Sequence, residues 1–311
     1  MSSPKPSPSA LRILALTGVL CLIWGSTWVV IQGGLESLPP FTSAAARFTV
    51  AACCMSVLAA AFARREGGGS PSPVLSLVLG CVNFATSYGI VYWSETKLPS
   101  GLVSVLWAVY PMLQATAGHL FLPAERVAGR QLLGFVLGFL GVGSLFLTDL
   151  RAIGPEAVPA GAILLLSPLV SALGTTYVKK HGGGTSSLKL NRNGMWIGAT
   201  LLALVALVFE RGENVALTRG AVLSVLYLSL FGTVVAFGLY FWLLRHTAAN
   251  RLAVISYVTP AIALFLGVLL RGESVTLFTL AGLGSILTGV FLVHRGGPRA
   301  ATSAPAAQAR G

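Results

Sequence analysis

Two basic side chains lie inside apolar stretches of this sequence, and both are candidates for a chemical role. Arg47 is the only full-time charge well within such a stretch, and His119 lies late in another. A charge at that depth is costly, so Arg47 is a candidate for a substrate contact; a structural anchor that reaches the outer interface is the alternative. His119 is a candidate proton carrier because imidazole titrates near neutral pH, and a neutral, hydrogen-bonded core histidine is the alternative.

The other candidates are aromatic and amide side chains in the middle of apolar runs. They offer ring faces together with hydrogen-bonding groups, which an amphipathic organic solute needs. Tyr110 and Gln114 are four residues apart and therefore share one face of a helix. For each of these residues, plain packing is the alternative to lining a solute pathway. The predicted cavity set is Trp24, Asn83, Tyr88, Trp107, Tyr110, Gln114, Tyr177, Tyr240 and Tyr257.

The sequence shows no pattern typical of catalysis, of a metal site or of a cofactor. The four cysteines lie in apolar stretches without CxxC spacing, and no nucleotide-binding GxxxxGKS loop occurs. Paired acids and clustered histidines are also missing, so no catalytic residue, metal or cofactor is predicted. Glu95 and Lys97 lie in a short hairpin, where ordinary interfacial charges are expected and an outer gate is the alternative.

These residues are carried by a chain that needs lipid as its solvent. Apolar residues make up 55% of its 311 positions, charged residues 10%, and the mean hydropathy is +0.81. The net charge of +12 comes from basic residues scattered singly or in pairs, which is typical of topology signals rather than of a nucleic-acid-binding surface. The predicted partners are therefore the lipid bilayer and a small organic solute, and no nucleic acid.

Ten apolar runs are long enough to cross a bilayer, for which about 20 residues are needed. Helices are predicted because an unsatisfied backbone group in hydrocarbon costs several kcal/mol. We therefore expect an all-α integral membrane protein with ten transmembrane helices. The runs are Ile13–Ile31, Phe41–Ala63, Val74–Ser94, Leu98–Ala124, Gln131–Thr148, Ala157–Val178, Asn193–Phe209, Gly220–Leu244, Leu252–Leu270 and Ser274–Val293.

Most of the 21 Lys and Arg residues fall on one side if the chain starts in the cytoplasm. Because cytoplasmic loops carry the excess of basic residues, both termini are predicted to be cytoplasmic, in a multi-pass protein of the cytoplasmic (inner) membrane. Residues 1–12 are predicted to be a disordered cytoplasmic N-terminus, and residues 294–311 a disordered cytoplasmic tail.

The second half of the chain repeats the first at a spacing of about 149 residues. Gly89 and Trp93 recur as Gly238 and Trp242, and Pro111 recurs as Pro260. After one deletion, three further residues of the first half have counterparts in the second: Glu125, Gly134 and Gly141 recur as Glu273, Gly282 and Gly289. Each half has five spans, an odd number, so residues 13–148 and 157–293 are predicted to be two inverted five-helix repeats around a central substrate site.

Proline and glycine positions lead to two further expectations. Pro111 and Pro260 each remove a helical hydrogen bond and introduce a kink, which acts either as a hinge or as static shaping of a cavity. Gly134 and Gly138 have a spacing that favours close helix approach, within one chain by default or between two chains. A monomer and a homodimer both remain open.

Three sequence elements together resemble the EamA-type members of the drug/metabolite transporter superfamily. Trp24-Gly25-Ser26-Thr27-Trp28 resembles the WGS element of the first helix, and Arg47-Phe48 resembles the arginine of the second. The spacing of Pro111, Glu125 and Gly134, and again of Pro260, Glu273 and Gly282, resembles the pattern of the helices that close each repeat. The resemblance implies ten helices and export of amino acids, related metabolites or drugs.

A secondary transporter working by alternating access is therefore the predicted function. Without a nucleotide-binding loop, its energy must come from gradients. A membrane-embedded enzyme acting on lipid-linked substrates is the alternative from another class, and a channel or scaffold is the third. Saturable, countertransport-stimulated flux would distinguish a carrier from a channel.

Overall fold

The computed structural model describes residues 9–123, 129–247, 252 and 254–296. This part of the chain is helical, and nine of its helices are long and apolar enough to cross a membrane; a tenth apolar helix is shorter. The predicted ten-helix membrane fold is thereby confirmed. Glu125, residues 1–8 and residues 297–311 lie outside the described residues, and so does the last residue of the fourth predicted run.

The helices of the first half are numbered α1 to α5. They are α1 Ala10–Leu35, α2 Pro40–Glu66, α3 Pro73–Ser94, α4 Ser100–Phe121 and α5 Gly129–Leu147. A short helix, Asp149–Ile153, follows α5.

The helices of the second half are numbered α6 to α10. They are α6 Ala157–His181, α7 Ser187–Phe209, α8 in three consecutive segments Arg219–Ser229, Leu230–Val235 and Ala236–His246, α9 Val254–Arg271 and α10 Leu277–Gly296. The predicted runs match these helices to within several residues. The largest difference is at α7, which begins at Ser187 because Ser186 caps its N-terminus.

The third helix of each half contains a π-helical segment. It covers Leu79–Ser87 in α3 and Leu230–Val235 in α8. In the second, the Thr233 hydroxyl donates to the Leu228 carbonyl, five residues back, at 2.8 Å. π-Helical insertions are frequent at functional sites because they redirect a side chain. The matched positions indicate that both repeats keep this distortion.

The two repeated prolines do not have the same effect on their helices. In α4 the helix is interrupted between Trp107 and Tyr110, directly before Pro111. In α9 the helix runs without interruption through Pro260. Only the first proline therefore coincides with a break, and the predicted kinks with their hinge role stay predictions.

Reciprocal glycine contacts join α5 to α10. A Cβ atom on Gly141 would lie 2.7 Å from the Gly282 carbonyl oxygen. A Cβ atom on Gly289 would lie 2.4 Å from the Gly134 carbonyl oxygen. Gly134 and Gly141 correspond to Gly282 and Gly289 in the repeat, so the same contact occurs twice with the partners exchanged. Such exchange is the mark of a two-fold relation between the halves. The small residues of α5 pack within the chain, as expected by default.

Reciprocal helix caps join α2 to α7. The Glu210 carboxylate, after the end of α7, accepts hydrogen bonds from the Phe41 and Thr42 amides at the start of α2, at 2.6 and 2.8 Å. The Glu66 carboxylate, at the end of α2, accepts from the hydroxyls of Ser186, which caps α7, and of Ser187, the first residue of α7. A carboxylate at a helix N-terminus satisfies free amides and the helix dipole. Each helix therefore stabilises the beginning of its counterpart.

One glycine near this contact is required by geometry. Gly68 has φ +86, and a Cβ atom there would lie 2.7 Å from the Ser186 amide nitrogen. Its neighbour Gly69 donates to the Gly184 carbonyl at 2.7 Å. Only glycine fits this left-handed conformation against the facing backbone.

Candidate functional site

An aromatic cluster lies where α1, α3, α4 and α8 meet. We define it as Trp24, Trp28, Tyr88, Trp107, Tyr110 and Tyr240. Trp107 stacks on Tyr110 with ring centroids 4.8 Å apart, and Trp28 packs against Trp107 at 6.1 Å. Trp24 packs against Tyr240 at 5.5 Å. The hydroxyls of Tyr88 and Tyr240 lie near that of Tyr110. Five of the nine predicted cavity residues thus come together in this cluster.

Polar side chains of α6 complete the cluster on one side. The Tyr110 hydroxyl lies 3.2 Å from Gln114 Oε1 and 3.3 Å from Thr175 Oγ1. Gln114 Nε2 donates to Thr176 Oγ1 at 2.9 Å. Predicted cavity residues from α4 are therefore tied to two threonines that the sequence analysis did not single out.

Asn83, in the π-helical segment of α3, joins the same polar group. Its amide nitrogen donates to Thr175 Oγ1 at 3.1 Å and to the Ser171 carbonyl at 3.1 Å. Its side-chain carbonyl oxygen is buried and has no hydrogen-bond partner in the described part of the chain. Gly174 makes room for this oxygen, which lies 2.0 Å from the place of a Cβ atom there. This acceptor is therefore unused among the described residues, and the role of Asn83 in the cavity stays a prediction.

The sequence does contain a pattern that predicts the polar residues of α6 at this site. Ser167, Ser171 and Thr175 are spaced four residues apart, which places them on one helix face. Ser167 accepts a hydrogen bond from Trp107 Nε1 at 3.1 Å. A polar stripe on an otherwise apolar membrane helix indicates a buried polar contact, because hydroxyls in hydrocarbon seek partners.

Two predicted cavity residues have other neighbours. Tyr177 packs on His181, one turn further along α6, with centroids 4.4 Å apart. Tyr257 of α9 packs edge-to-face against Phe291 of α10 at 6.5 Å.

Arg47 lies in the interior between the two halves. Its side chain is only 2% exposed. The guanidinium donates to Thr233 Oγ1 of α8 at 3.2 Å and to the Tyr92 hydroxyl at 3.4 Å, and it lies 4.9 Å from the centre of the Tyr88 ring. The expected reach to the outer interface is therefore wrong, because three partners hold the charge inside. A substrate contact stays a prediction.

His119 lies near the end of α4, on the helix face that points away from the bundle, where its side chain is exposed. The alternative of a core histidine is wrong, since the end of α4 turns this face away from the other helices. Its suggested proton role stays a prediction.

The hairpin between α3 and α4 holds two very different charges. Lys97 forms an exposed ion pair with Glu156 at 2.7 Å, and its hydrogen bond lowers the pKa of Glu156. Glu95 is 2% exposed, and neither of its carboxyl oxygens has a hydrogen-bond partner at ordinary geometry in the described residues. Burial raises the pKa of Glu95 well above its ordinary value. The expectation of interfacial charges is met by Lys97 and is wrong for Glu95.

Glu273 connects this hairpin to the second half. Its carboxylate accepts hydrogen bonds from the Ser100 amide at 2.8 Å, the Ser100 hydroxyl at 2.6 Å and the Gly101 amide at 2.9 Å. It therefore caps α4 from the loop between α9 and α10. Close packing reinforces the contact, because a Cβ atom on Gly101 would lie 2.8 Å from the Leu264 side chain of α9.

A pocket of about 370 Å³ opens beside this cap. Residues from both halves line it. They include Gln32, Glu95, Lys97, Arg271 and Glu273.

The described residues contain no group of three His, Cys, Asp or Glu side chains that could hold a metal ion.

Comparison with known proteins agrees with a membrane carrier. A model described as the EamA-like transporter family matches residues 12–147 and 159–295. The inner membrane transporter YedA of Escherichia coli (strain K12), itself named as uncharacterized, is 31% identical over 92% of this chain and 92% of its own length. The transporter YvbV of Bacillus subtilis (strain 168), also named as uncharacterized, is 26% identical over 91% and 92%.

Two further comparisons bear on the solute and on the fold. A protein of Salmonella typhimurium named as a probable amino-acid metabolite efflux pump is 27% identical over 88% of this chain and 92% of its own. One chain of a solved crystal structure superposes with a TM-score of 0.64 at 19% identity, covering 91% of this chain and 96% of that one. The structural likeness shows the fold alone.

Proposed function

This chain belongs to the EamA-like transporter family, and we propose that it exports amino acids or related small amphipathic metabolites across the inner membrane by alternating access. The observation that carries the proposal is the aromatic cluster with its polar border. Stacked rings offer apolar faces, while Gln114, Thr175 and the free oxygen of Asn83 offer hydrogen bonds. An amino acid with an apolar side chain needs both.

The contacts around α4 support a form that is closed on the outer side. The outer end of α4 is capped by Glu273 and packs on α9 through Gly101 and Leu264. The inner part of α4 instead binds α6 through Gln114 and Thr176. We define the outer gate as the contact of Glu273 with Ser100 and Gly101. Alternating access would break this outer gate and close the inner ends of the helices. The aromatic cluster would then be exposed to the outer side of the membrane.

The name of the Salmonella relative supports an amino-acid-like solute and the outward direction. The basic residues support cytoplasmic termini, and the name of the Escherichia coli relative supports the inner membrane. A monomer and a homodimer both fit the proposal, with lipid and solute as the partners of the chain. Neither a metal nor a cofactor enters it.

Transport by purified protein in liposomes tests this function. We expect saturable uptake of an apolar amino acid, accelerated by the same solute on the opposite side. Tyr110→Phe removes a hydroxyl beside Gln114 and Thr175 and should raise KM about fivefold with little change in maximal rate, since one hydrogen bond contributes about 1 kcal/mol.

Tyr227→Phe is the matched control, because its hydroxyl bonds Ser26 at 2.7 Å and the residue lies outside the aromatic cluster. Its KM should stay at the wild-type value. Equal KM values in both variants would remove Tyr110 from the binding site. If a broad panel of amino acids, metabolites and drugs gave no flux, the transporter proposal itself would fail. Flux without countertransport would favour a channel.

A further inference from the structure

Glu95 is a buried carboxyl group that the proposed transport site does not use. It directly follows α3, and it lines the 370 Å³ pocket next to the outer gate. Only 2% of it is exposed, and neither carboxyl oxygen accepts a hydrogen bond of ordinary geometry in the described residues. The backbone of Gln32 favours the charged form of this carboxyl by a weaker hydrogen bond, but burial opposes it more strongly, so the neutral, protonated form is favoured.

The neighbouring Glu273 explains why the proton resides on Glu95. Three donors from Ser100 and Gly101 stabilise the charge of Glu273 at the N-terminus of α4. Its negative charge raises the pKa of Glu95 further. Burial and this neighbouring charge together favour the proton on Glu95.

Several charged or titratable groups face Glu95 from the surrounding elements. Arg47 of α2 and Arg271 of α9 favour its ionisation, while Glu273 opposes it. Both cations have other partners: Arg47 donates to Thr233 and Tyr92, and Arg271 bonds Glu36 across the halves. Tyr92 also interacts with Glu95, and Lys97 in the same pocket pairs with Glu156. None of these groups donates a hydrogen bond to Glu95 in the described chain.

We propose that Glu95 is a proton-binding site linked to the outer gate, which holds its proton while the gate is closed and releases it outward when the gate opens. The proposal rests on the outward-closed assignment made above. Opening would separate the α3–α4 hairpin from the α9–α10 loop and admit water to the pocket between them. The same carboxyl group would then be hydrated and would ionise like an ordinary glutamate.

The direction of the pH effect follows from this linkage. At a pH below the ordinary glutamate pKa, Glu95 is protonated in both forms and pH has no effect on the gate. Between the ordinary pKa and the raised pKa of the closed form, opening releases one proton, so each unit of rising pH favours the open form up to tenfold. Above the raised pKa the effect saturates. Acid outside therefore keeps the gate closed.

Distance measurements between spin labels test the proposal without any transport assay. Labels would be placed on cysteines at Thr96 and Leu277, which are both exposed and belong to different halves. The four native cysteines would be replaced by alanine and the protein embedded in lipid nanodiscs. As the pH rises, the population with the longer distance should grow. Glu95→Gln, which mimics the protonated side chain, should keep the short distance at every pH.

Glu213→Gln is the matched control, since Glu213 is an exposed acid in the loop between α7 and α8. It should retain the wild-type pH dependence. In infrared difference spectra, the band of a protonated carboxyl should disappear as the pH rises and should be missing from Glu95→Gln. A pH-independent distance in the wild type, or an unchanged pH dependence in Glu95→Gln, would overturn the proposal. Flux with a pH-independent gate would reject only this inference, whereas a pH-dependent gate without flux would reject only the transport function.

Discussion

At the scale of single residues, the interior of this protein is organised by a buried arginine that forms no ion pair with another described residue. Arg47 is held by the hydroxyls of Thr233 and Tyr92 and by the face of Tyr88. Such contacts replace water around a guanidinium, since each donor needs an acceptor and aromatic faces attract cations. The arrangement ties α2 of one repeat to α3 and to α8 of the other.

Thr233→Val should therefore lower the free energy of unfolding by about 1–3 kcal/mol, because it leaves buried donors of Arg47 without an acceptor. Denaturant unfolding in mixed micelles measures the change. Thr49→Val is the control, since that exposed hydroxyl bonds only the Ala45 carbonyl four residues back and should cost a few tenths of a kcal/mol. In combination with Arg47→Met, the cost of Thr233→Val should shrink, whereas additive losses would show that the pair is not coupled.

Residue types could be predicted from the sequence, but several partners could not. The aromatic side chains that form most of the cluster were identified because rings with polar groups are uncommon in mid-span. Glu95 was misassigned to an exposed interface because its burial depends on Glu273, which is far away in the sequence. His119 was misassigned to the core in one interpretation because sequence position within a run does not specify the helix face.

At the scale of helices, glycine contacts decide how α5 and α10 cross. Gly289→Ala would place a methyl group 2.4 Å from the Gly134 carbonyl oxygen and 2.9 Å from the Gly138 nitrogen. Backbone atoms cannot move aside cheaply, so we expect a loss of about 1–3 kcal/mol of stability.

Gly284→Ala in the same helix is the matched control. No atom lies within 4 Å of its Cβ position. The substitution should be neutral or stabilise the protein by up to about 1 kcal/mol, because alanine is the better helix former. Thermal unfolding in detergent compares the two variants. If both had the same effect, the crossing of α5 and α10 would not depend on close backbone approach.

Helix bounds could be predicted closely, but distortions within helices could not. Runs of about 20 apolar residues and the Pro and Gly residues between them locate the spans. The π-helical segments of α3 and α8 contain no proline that would indicate them. Pro111 and Pro260 look equivalent in the sequence, yet only the first accompanies a helix break, because neighbouring helices decide how a freed carbonyl is accommodated.

At the scale of the whole molecule, the reciprocal contacts of Glu66 and Glu210 place the two ends of the α2–α7 pair on opposite faces of the bundle. Reporter tags inserted near Gly68 and near Asn214 should therefore appear on opposite sides of the membrane, the first in the cytoplasm. Tags near Arg126 and Glu273 should also be separated by the membrane. A shared side for either pair would contradict the inverted arrangement.

The inverted duplication could be predicted from the sequence by counting, because five crossings per repeat force the second repeat to enter from the other face. The state of the gate could not be predicted this way. Both forms of a carrier have the same helices and the same repeat, and they differ only in which ends touch. The contact of Gly101 with Leu264 and Glu273 distinguishes them, and it depends on packing between halves.

The two-fold crossing of α5 and α10 also has a consequence for which of its two forms the carrier prefers at rest. If every contact occurred twice in two-fold-related positions, the inward-facing and outward-facing forms of the carrier would have equal energy. The protein would then face either compartment equally often. Any resting preference must then come from positions where the copies disagree. Glu95 is one of them, since the residue about 149 positions later is Leu244. The acidity of the compartment to which Glu95 opens would then set the balance between the two forms.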